Sequence, residues 1–272
     1  MAELPIIFLK LGGSLITDKS AVEMLRTEIL NTIAAEIAAA LAENNAIRLV
    51  LGHGSGSFGH VAAAKHQTRQ GASTPEQWRG FAEVSDAAAR LNRHVASALL
   101  DAGLPVISIS PSASAMCDDG VLQHMEVETI RAALNAGLIP LIYGDVAFDT
   151  ILGGTIISTE EEMIFLSDHL RPTWLFLAGE TDGVYDENGD VIPAITHQNF
   201  ETVKVAIGGS EGTDVTGGML SKVEGMLDLV NEHKQLAIKI FSGAQAGNIQ
   251  QLLTIPETKM GTVIYSPLPT EE

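Results

Sequence analysis

The sequence predicts an α/β protein, a three-layer αβα sandwich around a largely parallel central sheet. Strand-like and helix-like segments alternate along its 272 residues, the pattern of repeated strand–helix units. Several of the strand-like runs are apolar throughout, as strands covered on both faces must be. Glycine-rich turns follow directly on two of these runs, where α/β folds place phosphate-binding loops.

The first apolar run, 6–11, carries a single lysine, Lys10, and passes into Gly12, Gly13 and Ser14. A helix is expected over 22–43 and a second strand over 47–51. Next comes GHGSGSFGH, from Gly52 to His60, with four glycines, two serines and two histidines in nine residues. Helical periodicity then covers 78–102, 127–136, 160–170, 218–233 and 247–253, while apolar strand-like runs occupy 105–109, 138–143, 173–177, 236–241 and 262–265. The segment 186–190, with Asn188-Gly189 inside it, reads as a hairpin turn, because both residues tolerate positive φ. No Pro-rich or Ser-rich linker divides the chain. It therefore reads as a single domain over 1–272, with any functional division, near Pro172, lying inside one fold.

Composition narrows the function. A hydrophobic content of 46% over this length supports a sizeable core. No apolar run approaches the roughly 18 residues of a membrane span, and no basic segment precedes the first apolar strand. Neither a membrane span nor a secretory leader is expected, and the expected location is the cytoplasm. The lone Cys117 excludes an internal disulfide framework and a cysteine-based zinc cluster, and reads as a spectator thiol. A formal net charge of −18, without clustered Lys and Arg, argues against nucleic acid as a partner.

The glycine-rich segments carry the chemistry. A glycine turn leaving a buried strand lets backbone N–H groups approach an anion, and a following helix adds its positive end. An ordinary glycine-rich strand-to-helix turn would read the same way, and a lone histidine such as His60 is commonly a satisfied surface or core residue. Lys10 sharpens the case, since a lysine inside an apolar strand is costly unless its ammonium emerges where charge must be neutralised. Snorkelling at a strand end is the alternative. Near the other end, Asp214-Val215-Thr216-Gly217-Gly218-Met219 opens a helix with Lys222 about one turn in, which joins backbone donors, a hydroxyl and a lysine. A glycine-rich helix start with a solvated lysine is the plainer reading.

Together KLGGSLITDK at 10–19, GHGSGSFGH at 52–60, YGDV at 143–146, DGVY at 182–185 and TDVTGGM at 213–219 with Lys222 resemble the amino acid kinase superfamily, in the order that superfamily shows. Within it the SFGH ending resembles the isopentenyl phosphate kinases, and the resemblance covers essentially the whole chain. It implies transfer of the ATP γ-phosphoryl group to isopentenyl phosphate, a step of isoprenoid biosynthesis, with Mg2+ accompanying ATP. No carboxylate cluster in the sequence marks a protein-held metal site. A kinase for another small phosphate or phosphonate such as fosfomycin, and a catalytically silent nucleotide-binding sensor, are the competing readings.

By the same resemblance Lys10, Lys19 and His60 are the catalytic candidates, with His60 donating to the acceptor phosphate. Lys10, Gly12, Gly13, Gly56, Glu180, Asp182, Tyr185, Gly217, Gly218 and Lys222 are expected at the nucleotide. Ser55, Gly56, His60, Thr159, Phe81 and Val84 are expected at the acceptor, Thr159 through its backbone N–H. Phe81 and Val84 share a helix face whose favoured reading is plain core packing. Two departures from the family pattern stand out: Ser158-Thr159-Glu160-Glu161 replaces a Ser-Gly-Asp-Asp-like turn, and Glu180 replaces a common aspartate. The resemblance also implies a homodimer, an acceptor lobe over approximately 1–172 and a nucleotide lobe over 173–272.

Overall fold

A computed structural model describes residues 4–18, 20–208 and 215–267. The chain begins with β1 (Ile6–Leu11), a single helical turn α1 (Gly13–Ile16) and a small hairpin of β2 (Thr17–Asp18) and β3 (Met24–Leu25). Helix α2 (Thr27–Glu43), β4 (Arg48–His53), α3 (Gly56–His66) and the long α4 (Pro75–Asp101) follow. The middle of the chain holds β5 (Val106–Ser108), β6 (Met116–Asp118), β7 (Val121–His124), α5 (Glu128–Asn135), β8 (Ile139–Tyr143), β9 (Asp145–Asp149), β10 (Gly153–Ile157) and α6 (Thr159–Leu170). The last third comprises β11 (Trp174–Gly179), β12 (Ala194–Ile195), α7 (Phe200–Gly208), α8 (Val215–Glu232), β13 (Ala237–Ser242), α9 (Asn248–Thr254) and β14 (Thr262–Tyr265).

Eight strands form the central sheet in the order β12-β14-β13-β11-β1-β4-β8-β5. All its pairings are parallel except β13 with β14. Strand β1 lies in the middle, and every residue of it is buried. Its pleat divides the core in two. Ile6 and Phe8 face one layer with Met163 and Leu166 of α6 and Val223 and Leu227 of α8. Ile7, Leu9 and Leu11 face the other, with Ile33 and Ile37 of α2, Leu91 and Val95 of α4 and Leu252 of α9. The three-layer sandwich predicted from the apolar strands is what the chain forms. Among the described residues no helix is long and apolar enough to cross a membrane.

Several element boundaries differ from the sequence expectation, each for a local reason. The helix expected over 22–43 begins only at Thr27, because the preceding residues fold back as the β2–β3 hairpin. There Glu23 takes φ of 53°, and the amides of Glu23 and Met24 donate to the carbonyl and hydroxyl of Ser57. Helix α4 starts three residues before the expected 78: Thr74 and Gln77 form a capping box, and Pro75 pre-sets the first turn. The turn at 186–190 is present, with Gly189 at φ of 82° and Tyr185 bridging antiparallel to Val191. A second, four-stranded sheet in the order β10-β9-β6-β7 was not foreseen, nor were α3 and α7.

Candidate functional site

Two glycine loops meet at the ends of adjacent parallel strands. The Gly12 amide donates to the Ala178 carbonyl at 2.8 Å, and the Gly54 amide to the Leu11 carbonyl at 3.0 Å. The loops touch so closely that a Cβ on Gly13 would stand 2.5 Å from the Gly56 nitrogen. Gly56 itself has φ of 49°, so glycine is required at both places. Thr17 fastens the pair: its hydroxyl donates to the Gly13 carbonyl at 2.7 Å and accepts from the Ser57 amide at 2.9 Å.

A cavity of about 760 Å³ opens above these loops. Gly12, Gly13, Ser55, Gly59 and His60 form its floor, with the ends of β8, β10 and β11 around it. One wall is charged. Lys10 falls on the β1 face shared with Ile6 and Phe8, so its stem passes under α6 and its Nζ meets Glu160 Oε1 at 2.7 Å. From α8, Lys222 Nζ approaches the same Glu160 oxygen at 3.4 Å. Burial alone would raise the Glu160 pKa, but the two lysines overcome it and hold the carboxyl down at about 2. For Lys10 burial wins, and its pKa is lowered despite Glu160. Another part of the lining is mainly apolar, built from Ala63 of α3, Val84 and Ala88 of α4 and Ile156 of β10, with Arg69, bonded to the Ile156 carbonyl at 2.8 Å, at its edge.

Each residue of the unusual Ser158–Glu161 turn has a distinct task. Ser158 caps α6, accepting from the Glu161 amide at 3.2 Å while Glu161 accepts from the Ser158 amide at 2.5 Å. Thr159 is buried, accepts from the Gly144 amide at 2.8 Å and donates to the His53 carbonyl at 2.7 Å. It lines the cavity, and its side chain pins β4 to the β8–β9 turn. The expected contact of its backbone N–H with an acceptor phosphate is a separate matter from those two bonds, which give the side chain a structural role beside it. Glu160 gathers the lysines, and Glu161 also takes a bidentate contact from Arg69, at 2.6 and 3.2 Å. Glu162 is fully buried, and neither of its carboxyl oxygens has a hydrogen-bond partner. Burial, reinforced by Asp145, Glu161 and Glu160, pushes its pKa well above the usual carboxylate value.

His53, the first histidine of the glycine-rich run, is a buried support. A carbonyl can only accept, so its Nδ1 donates to Gly54 O at 3.0 Å, and its Nε2 accepts from the Asn92 amide at 3.2 Å. It stacks on Tyr143 with ring centroids 5.6 Å apart, and burial lowers its pKa to about 4, leaving it neutral. His60, exposed on the second turn of α3, does reach the cavity.

The other sequence candidates separate. Ser55, Thr159, Val84, Glu180 and Lys222 line the cavity with Lys10, Gly12, Gly13 and His60. Gly56 lies beneath it as a loop contact. Phe81 is not on its wall but packs behind Val84, edge-on to Trp78 and 5.4 Å from Phe148 between centroids, which agrees with the core-packing reading. Asp182 and Tyr185 are also off the wall. Asp182 is bonded to Gln245 at 2.9 Å, and its amide donates to the Tyr185 hydroxyl at 3.2 Å. Glu180 pairs with Arg26 at 2.6 Å. Gly217 and Gly218 lie in the first turn of α8, while Lys19, Thr213 and Asp214 are outside the described residues. Sequence reasoning missed Glu160 as the lysine partner, Arg69, and the buried Asp145 on the cavity lining. Their acidic or basic character alone gave no signal, because Glu160 lies 150 residues from Lys10.

Asp168, Glu232 and His233 are the only trio among the described residues whose ligand atoms lie within 4.8 Å of one another. They stand at the far end of α6 and not on the cavity lining.

Residues 5–242 match the model of the amino acid kinase family. The isopentenyl phosphate kinase of Methanothermobacter thermautotrophicus is 34% identical over 270 residues, spanning 93% of this chain and 97% of that protein. That of Haloferax volcanii is 38% identical over 225 residues, spanning 82% and 88%. A solved isopentenyl phosphate kinase superposes with a TM-score of 0.80 at 30% identity, over 95% of this chain and all of that one.

Proposed function

The chain belongs to the amino acid kinase family, and from that premise we propose that it is a phosphotransferase that uses ATP to phosphorylate isopentenyl phosphate. The observation that carries the reading is the cavity itself: two lysines converge on one carboxylate in its lining, and apolar side chains of α3, α4 and β10 line the same cavity. A phosphate bearing a hydrocarbon tail fits both at once. The close likeness to isopentenyl phosphate kinases over nearly the whole chain supports the same acceptor.

An acceptor phosphate has a second pKa of about 6, so near neutrality it is already a nucleophilic dianion and needs no strong base. One of its oxygens attacks the γ-phosphorus of ATP. The bond from that phosphorus to the β–γ bridging oxygen breaks, and its electron pair leaves with ADP. Bringing two anions together is the main cost, so catalysis rests on positioning and on cations around the transferring group. Lys10 and Lys222 supply two, and Glu160 keeps both aimed at the cleft before the phosphates arrive. Lys19 belongs to the same group by resemblance. Gly12, Gly13, Ser55 and Gly56 shape the backbone around the phosphates, and His60 donates to the acceptor.

Magnesium is part of this reading as the ion that travels with ATP. Of the carboxylates at the cleft, Glu160 is engaged by two lysines, Glu180 pairs with Arg26 at 2.6 Å, and Asp145 accepts from the Val146 amide at 2.8 Å. The ion is therefore assigned to the nucleotide's phosphates. The reading also includes an acceptor side within about residues 1–172, a nucleotide side from 173 onward, a cytoplasmic setting and a homodimer. The last is testable by sedimentation equilibrium.

The deciding experiment is ADP formation with isopentenyl phosphate, dimethylallyl phosphate, fosfomycin, uridylate, carbamate and acetylglutamate in parallel. Isopentenyl phosphate should give the highest kcat/KM. A higher value for any non-prenyl acceptor, or nucleotide binding without turnover on all six, would reject the reading.

A further inference from the structure

A second sizeable cavity lies away from the cleft. A hollow of about 970 Å³ lies toward the starting ends of β11 and β13, whereas the cleft adjoins the far end of β11. The two cavities meet opposite faces of β13: Ile240 lines the cleft, and the preceding residue, Lys239, lines the rear hollow. The pleat produces this division, since Ile238 and Ile240 pack on the α6–α8 side and Phe241 packs on the α2–α9 side.

The rear cavity is unusual for so acidic a chain. Only 16 of the 272 residues are Lys or Arg, yet Lys234, Lys239 and Lys259 all line it, beside a single carboxylate, Glu257. Among the described residues none of these ammonium groups lies within 4.0 Å of a carboxylate oxygen. Lys239 is buried, with 3% of its surface exposed. Its Nζ donates to the carbonyls of Pro256 at 2.8 Å and Thr258 at 2.6 Å and stands 5.2 Å from the Trp174 ring centroid. Those carbonyls follow α9, so part of the lysine's role is to hold that loop. They offset its desolvation without cancelling its charge. Lys234 is likewise held by neutral groups, Asn231 and the Ser266 hydroxyl. Around the cations the lining is apolar and aromatic, including Trp174, Met260, Val263 and Tyr265.

We infer that this rear cavity is a second binding site, for an amphiphilic phosphate ester whose phosphate or diphosphate head meets Lys234, Lys239 and Lys259 and whose apolar tail lies against Trp174, Met260 and Val263. Three cations that have no carboxylate partner among the described residues select an anionic head. A wall of apolar and aromatic side chains selects a tail in place of a free phosphate. The volume holds a ligand of drug-like size, within the roughly 300–1,000 Å³ common for small-molecule sites.

The test is calorimetric titration with geranyl diphosphate, inorganic diphosphate, geraniol and ADP, with the fluorescence of Trp174 read in Trp78→Phe protein, where it is the sole tryptophan. Lys234 and Lys259 are exposed, so the double variant Lys234→Ala/Lys259→Ala leaves the core intact. Geranyl diphosphate should bind, change the Trp174 emission and lose at least about tenfold in affinity in that double variant, a difference of about 1.4 kcal/mol. The same binding should persist in Lys222→Ala, which alters only the cleft. Inorganic diphosphate and geraniol should each bind at least about tenfold more weakly than the intact ester. Binding lost in Lys222→Ala but kept in the double variant would place the ligand in the cleft and overturn the site. So would an unchanged Trp174 signal. Preference for ADP at Trp174 would overturn the tail. Because the readout is binding at the rear, an acceptor other than isopentenyl phosphate would leave it untouched.

Discussion

The two walls of the cleft are built on different principles. The charged wall draws Lys10, Glu160 and Lys222 from three elements far apart in sequence and holds them by ion pairs at 2.7 and 3.4 Å. The apolar wall takes Ala63, Val84 and Ala88 from the neighbouring helices α3 and α4, held by packing. Two cations around one carboxylate leave a net positive charge for a phosphate, in an arrangement already assembled before the ligand arrives. Preorganised charge of this kind acts on the transition state, whereas a packed apolar wall acts on the fit of the substrate. Damage to the first should appear mainly in turnover and damage to the second mainly in selectivity.

Lys10→Ala is the strongest way to break that contrast. It should lower kcat by about 10²–10³-fold with a smaller change in the KM for the acceptor, as removal of one preorganised donor does. Steady-state kinetics with each substrate varied would measure it, and a pure KM effect would erase the distinction between the walls. His60→Ala should come next, with turnover down by about 10²-fold, the lower end for a positioned proton donor. ATP affinity, followed by equilibrium titration, should stay within about twofold of the parent, since a change of that size is under 0.5 kcal/mol. Lys222→Ala should raise the KM for ATP by about tenfold, the equivalent of one charge-assisted hydrogen bond, and that for the acceptor by less. The reverse ranking would move Lys222 to the acceptor side.

Smaller effects probe the packed wall and its support. Val84→Ala removes two methyl groups from the apolar wall. It should shift the kcat/KM ratio of a ten-carbon to a five-carbon acceptor phosphate by roughly tenfold toward the longer one, the low end of methylene-scale discrimination. An unchanged ratio would return Val84 to the core. His53 gives the pH signature. Its pKa is lowered to about 4 in the fold from 6.5, so below about pH 6.5 the unfolded chain takes up a proton that the native chain refuses until about pH 4. Stability is full above that window and falls as pH drops through it, by up to about 3 kcal/mol. Urea midpoints from pH 7 to 4 should show this fall, and His53→Gln should flatten it.

The central sheet was legible because β1, β4, β8, β11 and β13 are compact apolar runs, and apolar runs of that length have few alternatives. Lys10 was legible for the same reason, as a charge stranded in such a run. The antiparallel sheet was not. Its strands leave Met116, Val121 and Phe148 between 42% and 59% exposed, so their pattern resembles loop more than strand. The glycine loops were readable as close turns leaving buried strands, although their contact, Gly13 against Gly56, is a property of the fold. Glu160 shows the limit most clearly. In sequence it is one of three consecutive glutamates at a helix start, where any acid complements the dipole. Its neighbours Glu161 and Glu162 have unrelated fates, one bonded to Arg69 and the other buried with neither carboxyl oxygen hydrogen-bonded. Only the approach of β1 and α8 distinguishes the three.

The position of β1 also sets a timetable for the birth of the molecule. Its first neighbour, β4, leaves the ribosome soon after it, but the strand on its other side is β11, roughly 120 residues later. At the usual pace of about 5–20 residues per second, Ile6 to Leu11 wait on the order of ten seconds with one edge unpaired. That edge is apolar apart from Lys10 and uninterrupted by proline, a template for pairing with another nascent chain. Among the pairings of the central sheet the longest wait therefore falls on the strand that carries Lys10, and slower translation between β4 and β11 lengthens it.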